Sequence, residues 1–79
     1  MKLRGFRIEL GEIERVLMQH PAVQNCVVVM RTDSADPYLA GYLTVKPGSV
    51  AAVPDLEVFL KAKVPEYMVP SALMVLETL

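Results

Sequence analysis

The strongest constraint on the fold is that the hydrophobic spacing of this chain changes several times within only 79 residues. In residues 2–10 apolar side chains alternate with charged ones, which is the period of a β-strand, and Gly5 predicts a tight hairpin or a bulge within this segment. From Gly11 the spacing becomes that of one helix face, formed by Ile13, Val16, Leu17 and His20. Pro21 ends this helix because its ring cannot continue the hydrogen-bond ladder.

The rest of the chain continues this alternation. Residues 22–31 form a β-branched run that predicts a central strand, and residues 38–45 predict a second strand that pairs with it as an antiparallel hairpin. A second helix is expected from about Pro54, with an apolar stripe made of Leu56, Phe59, Leu60 and Val64. Residues 65–70 contain two prolines and predict an ordered loop without a regular element, before a last strand over residues 72–76.

The predicted architecture is a single α+β domain over residues 1–79. It is a small two-layer unit, an N-terminal β-hairpin followed by α-β-β-α-β, with the helices packed on one face of a short sheet. Hydrophobic residues make up 53% of the chain, and counting glycine in place of tyrosine leaves this share above the roughly 45–50% of ordinary domains. A chain of this length buries only about 60% of its unfolded surface. The excess therefore predicts either dense packing or a face that another domain covers.

Composition excludes several functional classes. Eight basic and nine acidic residues give a net charge of -1, which argues against nucleic acid binding. No apolar run approaches the roughly 18 residues of a membrane span. One cysteine and one histidine fall short of the roughly four ligands of a closed zinc site, and a lone cysteine cannot form a disulfide within the chain. We therefore expect a cytoplasmic protein with no metal site and with neither nucleic acid nor membrane as a partner.

No complete catalytic constellation is evident. The only histidine, His20, lies at a predicted helix C-terminus, where a positive charge complements the helix dipole. Cys26 lies among valines and is expected to behave as a small buried apolar residue. The carboxylates of Glu9, Glu12 and Glu14 gather where a helix begins, and capping or solvation explains them better than acid–base catalysis does.

Two segments resemble core motifs of one enzyme family. Residues 2–14, KLRGFRIELGEIE, closely resemble the eighth core motif of the adenylation domains of non-ribosomal peptide synthetases, and residues 65–70, PEYMVP, resemble the ninth. These domains belong to the adenylate-forming superfamily, which also contains acyl-CoA synthetases and luciferases. Acyl-CoA ligases and luciferases usually carry Gln-Val where this chain has Arg7 and Ile8, so the resemblance favours an amino-acid-activating module.

The resemblance implies a mobile C-terminal lid subdomain beside a much larger N-terminal core. In that family one orientation of the lid forms the aminoacyl-adenylate from the amino acid and Mg-ATP. The other turns the eighth motif inward for thioester transfer to the 4'-phosphopantetheine of a peptidyl carrier protein. The residues that would then face the pantetheine arm are Gly5, Arg7, Arg4 and Lys2. The alternative is a plain hairpin glycine, with the arginines paired to Glu9 or Glu12.

The resemblance gives structural roles to the other motif residues, which are Glu9, Gly11, Glu12, Pro65, Tyr67, Met68 and Pro70. No catalytic residue is expected, because the family's adenylate-contacting lysine corresponds to a position shortly after Leu79 and its hinge aspartate to one a few residues before Lys2. The chain is thus interpreted as a truncated fragment of the lid, without activity or a bound cofactor of its own. Two alternatives stay open: a stand-alone module that binds a carrier protein or a regulator without catalysis, and the equivalent lid of an acyl-CoA ligase.

Overall fold

The structure, a computed structural model, describes residues 2–3 and 5–79, with the backbone alone for Lys2, Leu3 and Phe6. Its elements are β1 (Lys2–Leu3), β2 (Phe6–Arg7), α1 (Leu10–Met18), β3 (Val23–Arg31), β4 (Tyr38–Val45), α2 (Val53–Lys61), a 3-10 turn (Glu66–Met68) and β5 (Ala72–Val75). The predicted α+β class, with an N-terminal hairpin followed by α-β-β-α-β, is confirmed.

The strands form two sheets. β1 and β2 make an antiparallel hairpin, while β3, β4 and β5 form a three-stranded sheet in that order. β4 lies in the middle, antiparallel to β3 and parallel to β5, so the connection to β5 crosses back over the sheet through α2. The prediction of residues 22–31 as a central strand is therefore wrong. Their apolar character reflects the packing of α1 on β3 rather than a strand on either side.

Both helices and one face of the three-stranded sheet enclose the core. The sheet contributes Leu39 and Leu43 of β4, which are almost completely buried. The predicted helical stripes are buried against them, with Ile13, Val16 and Leu17 from α1 and Leu56 and Leu60 from α2. Burial of each large aliphatic side chain contributes about 1.5–3 kcal/mol. The contact between the helical layer and the sheet is therefore the main source of stability.

The opposite face of the sheet carries apolar side chains that are only partly covered. Val27 of β3 is 37% exposed and Met74 of β5 is 50% exposed. Both are paired with Tyr42, which lies on the side of the sheet away from Leu43. The apolar excess of the composition is therefore distributed between a packed core and this second face.

The segment between the prolines is more regular than expected. A 3-10 turn over Glu66–Met68 follows Pro65, and it is closed by the amides of Met68 and Val69, which donate to the carbonyls of Pro65 and Glu66. The prediction of a loop without a regular element is wrong here, because the four residues between two prolines leave room for one such turn. Burial of the Met68 side chain holds this turn against the core.

Gly41 of β4 is the one glycine that the described packing requires to lack a side chain. A Cβ at this position would lie 2.7 Å from Cδ2 of Leu73, a buried residue of β5 that pairs with it. We expect Gly41→Ala to lower the free energy of unfolding by about 1 kcal/mol, because the end of the Leu73 side chain must move to accept the methyl group. The measurement is urea unfolding of the 79-residue chain, followed by far-UV circular dichroism.

Gly11 provides the matched control for this prediction. It lies in the first turn of α1, where an added Cβ would meet no described atom within 4 Å. Gly11→Ala should raise the free energy of unfolding by about 0.4–1 kcal/mol, because alanine restricts the unfolded chain more than glycine does. A shift of both variants in the same direction would contradict the crowding argument.

Candidate functional site at the N-terminal hairpin

The hairpin of β1 and β2 turns at Gly5. Lys2 pairs with Arg7 and Leu3 with Phe6, and Gly5 lies between the two paired strands. Gly5 has a φ of 83°, in the left-handed region that tight hairpin turns require and that glycine adopts without strain. The predicted hairpin at Gly5 is confirmed. Arg4 and the side chain of Lys2, which the sequence assigns to the same site, lie outside the described residues.

The backbone at Gly5 is open to approach. The residue is exposed, and a Cβ added to it would meet no atom of the described residues within 4 Å. Crowding within the chain therefore does not explain this glycine. The chain itself requires glycine here for the turn conformation. The turn in addition leaves a stretch of backbone that a partner can approach without hindrance.

Arg7 places a positive charge beside this turn. Its Nε donates to Oε1 of Glu9 over 3.1 Å, and the two side chains are 80% and 62% exposed. An ion pair this exposed contributes only about 0–1 kcal/mol. The structural pairing that the sequence left open is thus present for Glu9, whereas Glu12 pairs with Arg15. At 80% exposure the guanidinium remains accessible to a further anion.

The residues after Arg7 connect the hairpin to the body of the domain. Ile8 is 1% exposed and joins the core. Glu9 is the N-cap residue of α1, but it caps the helix with its main-chain carbonyl, which accepts from the amides of Glu12 and Ile13. Its carboxylate makes no capping hydrogen bond and is exposed, so of the two predicted roles, capping or solvation, the structure supports solvation. Glu12 does lie in the first turn, where the helix dipole favours an acidic side chain.

Glu14 makes a contact that the sequence did not reveal. The residue is half-buried, and its Oε2 accepts a hydrogen bond of 2.8 Å from the backbone amide of Val28 in β3. The expectation of a capping or solvated carboxylate is wrong for this residue. Its partner lies fourteen positions away on another element, so no local pattern could have indicated the pair.

Cys26 lies next to the same helix turn. Its Sγ is 3.4 Å from the carbonyl oxygen of Glu14, and the side chain is half-buried. Burial, and then the negative charge of Glu14, raise the pKa of the Cys26 thiol. A raised pKa disfavours the thiolate, which is the nucleophilic form. Cys26 packs against the core as predicted, but it is half-buried rather than buried.

His20 follows α1 and contacts the turn that leads into β3. Its Nδ1 accepts a hydrogen bond of 3.1 Å from the amide of Ala22. The ring also packs edge-on against Phe59 at 5.0 Å, and Nζ of Lys63 lies 5.2 Å from the centre of that phenyl ring. His20 therefore lies at the predicted end of α1, where its contacts are structural.

The second motif precedes β5 in the chain and contributes to the core. Met68 and Pro70 are buried, while Pro65 and Tyr67 are exposed. The next residue, Ser71, donates its amide to the carbonyl of Leu39, which begins the pairing of β5 with β4. These contacts support a structural role in which this segment positions β5.

The described residues offer no cluster of three or more His, Cys, Asp or Glu side chains that could hold a metal ion. In the same part of the chain, neither helix is long and apolar enough to cross a membrane.

Comparisons with known proteins give the family of the chain. Residues 12–79 match the family described as AMP-binding enzyme C-terminal domain. The chain is 48% identical to a linear gramicidin synthase of Brevibacillus parabrevis and 46% identical to phosphinothricin tripeptide synthetase PhsC of Streptomyces viridochromogenes. Both similarities cover 100% of the chain but only 1% and 7% of the respective relatives.

A solved structure gives the same result at the level of the fold. The chain is similar to a four-domain nonribosomal peptide synthetase bound to AMP and glycine, with a TM-score of 0.85 and 42% identity. The similarity covers 96% of this chain and 6% of that protein. The resemblance to the C-terminal subdomain of peptide synthetase adenylation domains is thereby confirmed, and the chain belongs to the AMP-binding enzyme C-terminal domain family.

Proposed function

We propose that this chain is the mobile lid of an amino-acid-activating adenylation domain and takes part in both of its half-reactions. These are aminoacyl-adenylate formation from Mg-ATP, followed by thioester transfer to the phosphopantetheine of a carrier protein. The support is that peptide synthetases align with the whole chain at 46–48% identity. The chain supplies one part of such an enzyme, and its partners are the adenylation core and a peptidyl carrier protein.

The observation that carries this proposal is the open hairpin at Gly5 beside an exposed guanidinium. A long, narrow ligand can approach the main chain where no Cβ projects, and Arg7 offers hydrogen-bond donors to a phosphate or to an acidic carrier surface. Phosphopantetheine fits both properties, because it is a flexible arm that carries a phosphate. When bound, it supplies the thiol that replaces AMP on the aminoacyl group.

The roles of the chain's own residues follow from their positions. Arg7 would hold the phosphate or the acidic carrier surface, and the backbone at Gly5 would border the arm. Ile8 follows β2 and is buried in the core, so it holds the hairpin, with Gly5 and Arg7, against the body of the domain. The described residues include no carboxylate cluster for Mg2+, so we assign Mg-ATP binding to the adenylation core.

The test uses the complete synthetase that carries this segment and measures the two half-reactions separately. We expect Arg7→Ala to slow thioester loading of the carrier protein by about tenfold, which corresponds to the loss of one charged hydrogen bond. Amino-acid-dependent ATP–pyrophosphate exchange should remain within about twofold of the unmodified enzyme, because the hairpin faces the reacting centre only in the second half-reaction.

Arg15→Ala is the matched control. Arg15 is an exposed arginine on α1 whose described partner is Glu12, so its loss removes the same charge away from the hairpin. This variant should leave both half-reactions unchanged. Equal losses of exchange and of loading in Arg7→Ala would indicate a folding role for Arg7, and an unchanged loading rate would refute the proposal.

A further inference from the structure

At the edge of the sheet, β3 has a backbone amide that points away from its neighbour β4. The carbonyls of Leu39 and Leu43 in β4 accept from Ser71 and Leu76, so the odd-numbered residues of β4 direct their main-chain groups toward β5. Gly41 lies between them and pairs with Val28. Opposite residues that do not exchange hydrogen bonds point their amides away from each other in an antiparallel pair. The amide of Val28 therefore points outward.

The carboxylate of Glu14 accepts a hydrogen bond from this amide. Oε2 of Glu14 accepts from the Val28 nitrogen at 2.8 Å. The carboxylate is carried by a helix that packs on the same strand, and the carbonyl of Glu14 is also in contact with Cys26 Sγ. Glu14 is thus held over the middle of β3 by the packing of α1, unlike a carboxylate on a freely rotating surface side chain.

An edge strand of this kind is prone to pair with another chain. Among the described strands β3 is bonded to β4 alone, and it extends over nine residues with three consecutive valines at Val27, Val28 and Val29. Long apolar edge strands are templates for pairing between molecules. Antiparallel pairing of two copies around Val28 would bring their Glu14 carboxylates close together, and like charges there oppose association.

We propose that Glu14 shields the edge of β3 and so prevents pairing of this strand with β3 of a second copy of the chain. The hydrogen bond removes the central donor of the edge, and the charge repels the approaching copy. This role is independent of the proposed function, because it concerns only the state of association of the folded domain.

The test compares four variants of the 79-residue chain with the unmodified chain. Glu14→Ala removes the acceptor, and Glu14→Asp keeps the charge but withdraws the carboxylate by one methylene. Glu14→Gln keeps an acceptor oxygen at the same distance. Glu12→Ala is the matched control, because it removes one charge from the exposed face of the same helix. Far-UV circular dichroism checks the folding of each variant.

We expect amide hydrogen exchange at Val28 to become about tenfold faster, or more, in dilute Glu14→Ala and Glu14→Asp. Sedimentation equilibrium should show that Glu14→Ala, which loses both the hydrogen bond and the charge, dimerises with a dissociation constant about tenfold lower than that of the unmodified chain. Glu14→Asp keeps the charge and Glu14→Gln keeps the acceptor, so each should dimerise more weakly than Glu14→Ala and more tightly than the unmodified chain. Glu14→Gln should retain the slow exchange of Val28, and Glu12→Ala should resemble the unmodified chain in both measurements. At high concentration the amides of Cys26, Val28 and Met30 should become protected in Glu14→Ala.

Three results would overturn the proposal. The first is an unchanged rate of amide hydrogen exchange at Val28 in the folded Glu14→Asp variant. This variant keeps the test valid even if Glu14→Ala unfolds. The second is faster exchange with no increase in association. The third is association that protects amides outside β3, which would place the contact on another surface.

Discussion

Replacing Leu43 by alanine should lower the free energy of unfolding by about 2–5 kcal/mol. Leu43 is completely buried at the centre of the middle strand. Cys26 of β3 and Val75 of β5 are its neighbours in the sheet, and the core formed with both helices covers its face. Because atoms on three elements surround the side chain, its removal leaves a cavity that the structure can close only in part.

This loss is large compared with the stability of the whole chain. A domain of 79 residues is stabilised by about 4–12 kcal/mol in total, so Leu43→Ala removes at least about a sixth of that margin. Urea unfolding should show a clear fall in the midpoint. Leu43→Met, which preserves volume, should cost less than about 1.5 kcal/mol.

Met74→Ala is the surface control for this prediction. Met74 lies on the neighbouring strand but on the opposite face of the sheet, and it is 50% exposed. Its replacement should change the free energy of unfolding by no more than about 0.5 kcal/mol. Equal shifts in Leu43→Ala and Met74→Ala would mean that the two faces of the sheet are buried alike, which would contradict the layer arrangement.

The elements that the sequence predicted correctly are those whose causes are local. The stripe of Ile13, Val16 and Leu17 is buried because a helix brings residues three and four apart onto one face. The hairpin at Gly5 forms because its loop requires a left-handed residue. The motif resemblance predicted the family for a related reason, since it depends on contiguous residues.

The features that the sequence did not predict depend on contacts between distant residues. The edge position of β3 is determined by where β5 joins the sheet, and both β4 and α2 lie between β3 and β5 in the chain. The amide of Val28 is free to donate to Glu14 only because β3 is at an edge of the sheet. The same reasoning applies to the candidate site. The sequence shows that Arg7 is charged, but its exposure and its contact with Glu9 depend on the register of the hairpin, which only the structure gives.

Gly5→Val should reduce the rate of thioester loading by about 100-fold in the complete synthetase, because a misplacement of about 1 Å at a reacting centre has an effect of this size. The proposed pantetheine arm borders the backbone at Gly5, and a branched side chain there would occupy space that is open in the structure. Valine is also strained at a φ of 83°, by about 1–2 kcal/mol. The expected decrease must therefore be separated from the effect of strain.

Two further variants make that separation. Gly48 has a φ of 80° in the turn after β4, and an added Cβ there would meet no described atom within 4 Å. Gly48→Val therefore introduces the same strain away from the hairpin and should leave loading unchanged. Gly5→Asn instead adds bulk at the hairpin with little strain, because asparagine tolerates the left-handed region. Loading should be slow in Gly5→Asn, with ATP–pyrophosphate exchange retained; normal loading would show that only the turn conformation of Gly5 matters, and that the arm does not approach the hairpin.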